Sequence, residues 1–191
     1  LFAEPDEQEQ KSIGDYYKDT YLGHYRQLDP AIKPEVVTSY FSGLDKPALF
    51  YQSHYISQNT NPLGSKQLLN QAAKKGKFAA RYDMYHSAYH PYLRQVQEEF
   101  GFYDLFLVNN DGRVVYSVFK ESDFAMSLTN SQLKNSGIAK AWNAVRSAKA
   151  GTVFLTDFET YLPSYGAPAA FMALPIFFLF YRLDSVVVQV S

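Results

Sequence analysis

The spacing of apolar positions changes at Tyr103. Before it they recur at helical intervals; after it they come in short, dense runs between turn residues. In IGDYYKDTYLGHY, residues 13–25, Ile13, Tyr16, Tyr17 and Tyr21 lie near helical spacing. In PEVVTSYFSG, residues 34–43, Pro34 suits a first helical position and Gly43 an end. NTNPLGSK at 59–66 has the composition of a loop, after which Ser65 can cap a helix over SKQLLNQAAKKG that Gly76 terminates. The stretch AARYDMYHSAYHPYLRQVQEEFG, residues 79–101, is again helical in pattern. Pro91 lacks a backbone donor and disfavours helix at His90, which predicts a kink or break there, with a second piece from Pro91 to Gly101.

From Tyr103 onward the pattern predicts strands. DLFLV is a near-continuous apolar run, NNDG a turn signal, and RVVYSVF the return of a hairpin. A polar, serine-rich connection follows. GIAKAWNAVRSAKAG then places Ile138, Ala141, Trp142, Val145 and Ala148 on one helical stripe, with Gly151 as a stop. Strands are expected at 103–108, 113–119, 152–158, 168–176 and 178–183, in one antiparallel sheet. The fold class is therefore α+β, with helical stalk and lead-in over 1–100 and a five-stranded antiparallel sheet domain over 101–191. LPIFFLFYRL contains no Gly, Asn or Asp where a return would turn. Either it is one long strand, or residues are absent between Phe177 and Phe178; the absent loop is the expectation.

Composition narrows the function classes. Hydrophobic residues make up 47% of 191, enough to bury a core. A net charge of −1 argues against nucleic acid, whose phosphates call for a basic face. Without cysteine there is neither a disulfide nor thiol catalysis nor a cysteine-based zinc site. No apolar run approaches the ~20 residues of a membrane span. The chain begins at Leu1, which is read as a piece of something longer or a processed product. His86 and His90 are four apart, but the glutamate of a zinc-protease helix is replaced by serine, and Pro91 disturbs the turn. No other constellation for catalysis is present, and neither enzymatic activity nor a cofactor is expected.

YDLFLVNNDGRVVYSVFKESDFAMSL followed by GTVFLTDFETYLPSYGAPAAFMALPIF resembles the PAS-like Cache sensor modules of bacterial transmembrane receptors, including methyl-accepting chemotaxis proteins, sensor kinases and receptor cyclases. The upstream pieces YISQNTNPLGSK and YHSAYHPYLRQVQEEFGFYD resemble the helical lead-in of that group, so the likeness covers roughly residues 50–177. It implies an extracytoplasmic, periplasmic small-molecule sensor, anchored in the inner membrane by helices outside this chain and dimeric in the full receptor. The ligand would be a small carboxylate, an amino acid or an amide. The rival reading is a ligand-free interaction or dimerisation module of a kinase or cyclase receptor.

Six residues are candidates for ligand contact. Lys120 follows the RVVYSVF strand and can anchor a carboxylate or simply be solvated. Phe124 starts the connection that would form a lid, or belongs to the core. In TVFLTDFETY, alternation places Val153, Leu155 and Asp157 on one face, so a buried Asp157 would need a ligand donor, Lys120 or backbone donors. Tyr161, Ser164 and Tyr165 surround a proline turn beside the small residues YGAPAA, a composition suited either to a pocket with polar-tipped aromatic walls, which Phe171 would complete, or to a tyrosine-rich core edge.

Overall fold

The computed structural model describes residues 4–70, 77–178 and 181–190, and for 77–80, 178, 181 and 182 the backbone. The chain divides into two compact units, Leu1–Ser87 and Ala88–Ser191.

The first unit is helical. Helix α1 (Glu7–Asp15) starts on a reciprocal cap: Asp6 Oδ1 accepts from the Glu9 N–H at 2.8 Å, and Glu9 Oε2 accepts from the Asp6 N–H at 2.9 Å. The helix widens to π-type turns over Tyr16–Tyr21 and resumes as α2 (Leu22–Leu28). The wide turns let Tyr16, Tyr17 and Tyr21 all reach the interior with Ile13, the stripe expected from the pattern. Helix α3 (Pro34–Ser42) has Pro34 in its first turn and Gly43 at its end, also as expected. Helix α4 (Lys46–Gln52) is capped by Asp45, whose Oδ1 accepts from the Ala48 N–H at 3.0 Å, and it passes into π-type turns at Ser53–Ser57. Tyr17 donates to Gln52 Oε1 at 2.8 Å in the buried centre.

Two helical expectations need correction. After Ser65 only one tight turn forms, Lys66–Leu68, and Leu69 is extended; the expected continuation over 71–76 lies outside the described residues. Helix α5 (Lys77–Phe100) runs through Pro91 without a break. Proline removes one helical hydrogen bond, but the helix is 24 residues long and buries His90, Gln97 and other positions on either side of Pro91, so packing overrides the local cost. Gly101, at φ 68°, ends it.

The second unit is an antiparallel sheet with helix on it. Its strands are β1 (Asp104–Val108), β2 (Val114–Ser117), β3 (Phe154–Leu155), β4 (Glu159–Thr160), β5 (Pro168–Phe178) and β6 (Tyr181–Val190). The order is β2-β1-β6-β5-β3, with β4 also pairing β5, so the last strand of the chain lies at the centre. The NNDG turn closes the β1–β2 hairpin: the Gly112 N–H reaches the Asn109 carbonyl at 2.9 Å, with Gly112 at φ 81°. One sheet face buries Leu105, Tyr116, Val118 and Val188 against Leu93 and Val96 of α5. The other carries α6 (Gly137–Val145), with Ile138, Ala141, Trp142 and Val145 buried as the stripe predicts.

The expected third strand shrinks to two ladder residues, Phe154 and Leu155 opposite Ala173 and Met172, after which Thr156 still exchanges hydrogen bonds with Phe171. The expected gap between Phe177 and Phe178 is replaced by a continuous β5, paired Phe177↔Arg182 and Phe178↔Tyr181. Residues 179–180, between the paired Phe178 and Tyr181, lie outside the described residues. The final strand extends to Val190, well beyond Leu183, since the β-branched run SVVVQV pairs with both β1 and β5.

Candidate functional site

The end of β2 leads into a turn, Lys120–Glu121–Ser122–Asp123, which opens the connection to α6. Three residues with side chains in this region take the left-handed backbone conformation: Lys120 at φ 58°, Ala125 at 65° and Tyr165 at 55°. Such conformations cost roughly 1 kcal/mol or more each and persist where the surroundings impose them. Here they turn a run of charged side chains inward.

Lys120 is 2% exposed. Its ammonium donates to the Ser117 carbonyl and lies 4.2 Å from the Tyr116 ring centre and 5.1 Å from that of Phe124. Burial pulls its pKa down, and the negative charges of Asp104 and Asp123 act against that. Asp104, at the start of β1, is fully buried. Its Oδ1 accepts the backbone N–H groups of Leu105, Val118 and Phe119 at 2.6, 2.8 and 3.2 Å, pinning the edge where β2 leaves the sheet. Burial raises the Asp104 pKa, and Asp123 pushes it the same way. Asp123 is also fully buried and accepts from the Tyr161 hydroxyl at 2.7 Å through Oδ2. Burial raises it from 3.8 to about 6, with the Tyr161 bond pulling it back.

Glu121 keeps part of its surface exposed, but its carboxylate is enclosed: Oε1 accepts from the Tyr103 hydroxyl at 2.8 Å and Oε2 from Ser164 Oγ at 3.0 Å. Burial, then the Asp123 charge, raise its pKa well above the ordinary value. Ser164 Oγ in turn accepts from Gln189 Nε2 at 3.0 Å, and Gln189 stands opposite Asp104 in the β1–β6 ladder. Three acids and one lysine are thus drawn inward around the end of β2, each held by its own backbone, hydroxyl or ring partners.

Four of the six sequence candidates lie in or beside this group. Lys120 and Phe124 touch each other, Tyr161 holds Asp123, and Phe171 packs edge-on against Tyr161 at 4.8 Å between ring centres. Tyr165 is half-buried at the left-handed end of the Leu162–Ser164 turn. Asp157 does not join them. It is exposed, as are Val153 and Leu155 on the face that alternation gave it, because β3 lies at the sheet edge with that face uncovered. The room expected beside the small residues is also taken up: Ala169 and Ala170 are buried, and Gly137 of α6 sits so close to Phe171 that a β-carbon there would lie 2.7 Å from Phe171 Cδ2. Ser164, read from the sequence beside Tyr161 and Tyr165, does join the group, whereas Asp104 and Gln189 were missed. The signal for Asp104 was an acid at the head of an otherwise apolar strand, DLFLV, in the hairpin that leads into FKESD.

The first unit has a groove of its own, of about 630 Å³, between the π-type turns of residues 16–21 and α3, floored by Tyr17, Leu22, Val37 and Phe41 and edged by Lys18 and Arg26. None of the predicted residues lines it. His86 Nδ1 lies 2.9 Å from the Asn70 carbonyl, and His90 Nδ1 lies 2.7 Å from the Tyr116 hydroxyl. Among the described residues no group of three or more His, Asp or Glu is placed to hold a metal ion. Nor, among them, is any helix long and apolar enough to cross a membrane.

No family model matches the chain, and no curated protein does. Among solved structures it is similar to the sensor domain of the Vibrio cholerae histidine kinase DctB, at 18% identity and a TM-score of 0.42, over 92% of this chain and 57% of that one. It is also similar to the extracellular domain of vpHK1S-Z8, named as a histidine kinase, at 11% identity and a TM-score of 0.37, over 96% and 56%. A third is a domain of a Vibrio parahaemolyticus protein named as sensory box/GGDEF, at 13% and 0.35, over 96% and 58%. The chain thus spans a little over half the length of each.

Proposed function

We propose that this chain is an extracytoplasmic small-molecule-sensing part of a bacterial transmembrane receptor, of the methyl-accepting chemotaxis type. The ligand is received where β1 and β2 meet the connection that begins at Lys120. The observation that carries this reading is the enclosed charged turn itself: Lys120, Glu121 and Asp123 are directed inward by left-handed backbone at Lys120 and Ala125. A solvated turn would leave such side chains in water at no cost. Tyr103, Tyr161, Ser164 and Gln189 give the same region hydroxyl and amide groups that can exchange partners with a ligand. Sensing needs only that the ligand bind two states of the connection unequally.

A thermal-shift screen of the purified chain against small carboxylates, amino acids and amides tests this. A ligand that raises the melting temperature of the wild type, and does so less for Tyr161→Phe, supports the reading. A binder whose effect is unchanged in Tyr161→Phe, Lys120→Met and Asp123→Asn places the site elsewhere and overturns it.

A second reading, a ligand-free interaction module, is favoured by one feature. Val153, Leu155 and Phe158 are each more than half exposed around the edge strand β3, an apolar strip of the kind that partners cover. Sedimentation of the wild type and of Leu155→Lys discriminates the two: a dimer that the variant dissolves supports the interaction module.

A further inference from the structure

Helix α5 keeps one face in solvent. Arg81, Tyr85, Ala88, Tyr92, Gln95 and Glu99 are all exposed, with Tyr85 at 49% and Tyr92 at 65%. They follow one another at alternating steps of four and three residues, the spacing that lines up a seam for a second helix. The helix runs through Pro91 unbroken, so the seam is continuous. Met84 and Tyr89, also exposed, flank it on either side. Four large side chains with apolar bodies, Met84, Tyr85, Tyr89 and Tyr92, thus stand in solvent within about three turns, whereas exposed apolar residues are ordinarily scattered singly. The opposite face is turned inward: Asp83, His86, His90 and Gln97 are buried.

The seam complements itself when reversed. Residues 81 and 99, 85 and 95, and 88 and 92 each lie equally far from the level of residue 90. A second α5 laid antiparallel about that level therefore sets Arg81 against Glu99, Tyr85 against Gln95, and Ala88 against Tyr92. Each match is chemical: a guanidinium with a carboxylate, a phenol with an amide, a small side chain with a large one. The ends are available for it, since neither Arg81 nor Glu99 has an ion-pair partner among the described residues. Glu99 Oε1 accepts from Gln95 Nε2 at 2.7 Å, which keeps both side chains on the seam. The parallel arrangement in register would set Arg81 on Arg81 and Glu99 on Glu99, like charges at both ends.

We propose that two copies of this chain associate through the exposed seam of α5, antiparallel, about a two-fold axis at the level of residue 90. The axis makes each contact twice, so the same patch serves both copies and the assembly closes as a dimer. The edge strand β3 takes no part in it. Ligand binding, which carries the proposed function, is a separate measurement, so a monomeric chain would leave the receptor assignment untouched.

Sedimentation equilibrium of the purified chain over a concentration series is expected to show a monomer–dimer equilibrium. A chain that stays monomeric up to about 1 mM, where even a weak association registers, overturns the proposal. Arg81→Glu and Glu99→Arg are each expected to raise the dissociation constant about ten-fold, because two exposed pairs are lost and replaced by repulsion. The double variant, whose ends match again, is expected to recover most of the loss. A double variant as weak as the single ones, or a dimer dissolved by Leu155→Lys, places the interface elsewhere. Orientation is read by thiols, because the chain has no cysteine of its own. Under mild oxidation, Tyr85→Cys mixed with Gln95→Cys is expected to give the 85–95 disulfide, and neither variant alone is expected to cross-link. Tyr85→Cys cross-linking to itself would mean a parallel pair and would sink the antiparallel seam.

Discussion

The hydroxyl of Tyr161 donates to Asp123 Oδ2 at 2.7 Å, between residues 38 apart in the chain and both buried. This bond joins the turn after β4 to the turn after β2. Phe171 of β5 supports it from behind by its edge-on contact with Tyr161. The charged turn is therefore held by the sheet from two directions, through Asp104 at β1 and through Tyr161.

Tyr161→Phe should destabilise the second unit by about 1–3 kcal/mol, the usual cost of orphaning a buried acceptor. The loss should depend on pH. Asp123 is raised from 3.8 to about 6 in the fold, so its contribution is fully present below about pH 4 and fades as pH rises through 6. Removing Tyr161, which pulls that value down, should raise it further and deepen the fade. Urea denaturation at pH 5 and pH 8 should then show the larger loss at pH 8; equal losses would mean that Asp123 is not ionising within the fold.

Gly137→Ala should be destabilising, although alanine normally favours a helix. The added carbon would lie 2.7 Å from Phe171 Cδ2 and 3.1 Å from Cε2. Overpacking of this kind costs roughly 1–3 kcal/mol. Combining it with Phe171→Leu should restore part of the loss, and a double-mutant cycle on melting curves measures the coupling. An additive pair would show that α6 shifts away freely.

Much of this architecture was legible in residue spacing. Ile13, Tyr16, Tyr17 and Tyr21 are on the buried face, Pro34 and Gly43 delimit their helix, and NNDG closes its hairpin. These are local effects of period and turn chemistry. What was not legible depended on distant partners. Pro91 fits inside α5 because packing along the helix outweighs one lost bond. SVVVQV becomes the central strand because β1 and β5 both need a neighbour, which no window around residue 187 reveals. Asp157 was read as a candidate for burial because Val153 and Leu155 share its face, but on this edge strand that face is open to solvent and all three are exposed. The Lys120 turn was visible as FKESDF, whereas Asp104 and Gln189, which complete its surroundings, are brought there by the register of β1 on β6.

Asp157→Ala should leave stability within about 0.5 kcal/mol of the wild type, as for ordinary surface positions. Its side chain is exposed beyond the end of β3. A thermal melt is sufficient to check this. A drop of several degrees would show that the segment after β3 folds back over Asp157.

Lys120→Met is the most discriminating substitution for the charged interior. Methionine keeps the length and apolar stem of lysine between the rings of Tyr116 and Phe124, so packing is largely preserved. What is removed is the positive charge facing Asp104 and Asp123 and the donor to the Ser117 carbonyl. Losing that charge leaves the ionised forms of Asp104 and Asp123 less compensated in the interior. That cost applies only while the acids are ionised. Their pKa values, already raised by burial, rise further once Lys120 no longer favours the charged form. Each acid then keeps its proton to higher pH in the fold than in the unfolded chain, so stability is retained at low pH and lost as pH climbs. The expected result is a variant close to wild type at pH 5 and measurably weaker at pH 8, with Asp104→Asn added to it recovering part of the difference at pH 8. Urea denaturation of the single and double variants at both pH values reads this directly. A loss of equal size at pH 5 and pH 8 would show that Lys120 acts through packing and its Ser117 bond, and that the two aspartates do not depend on its charge.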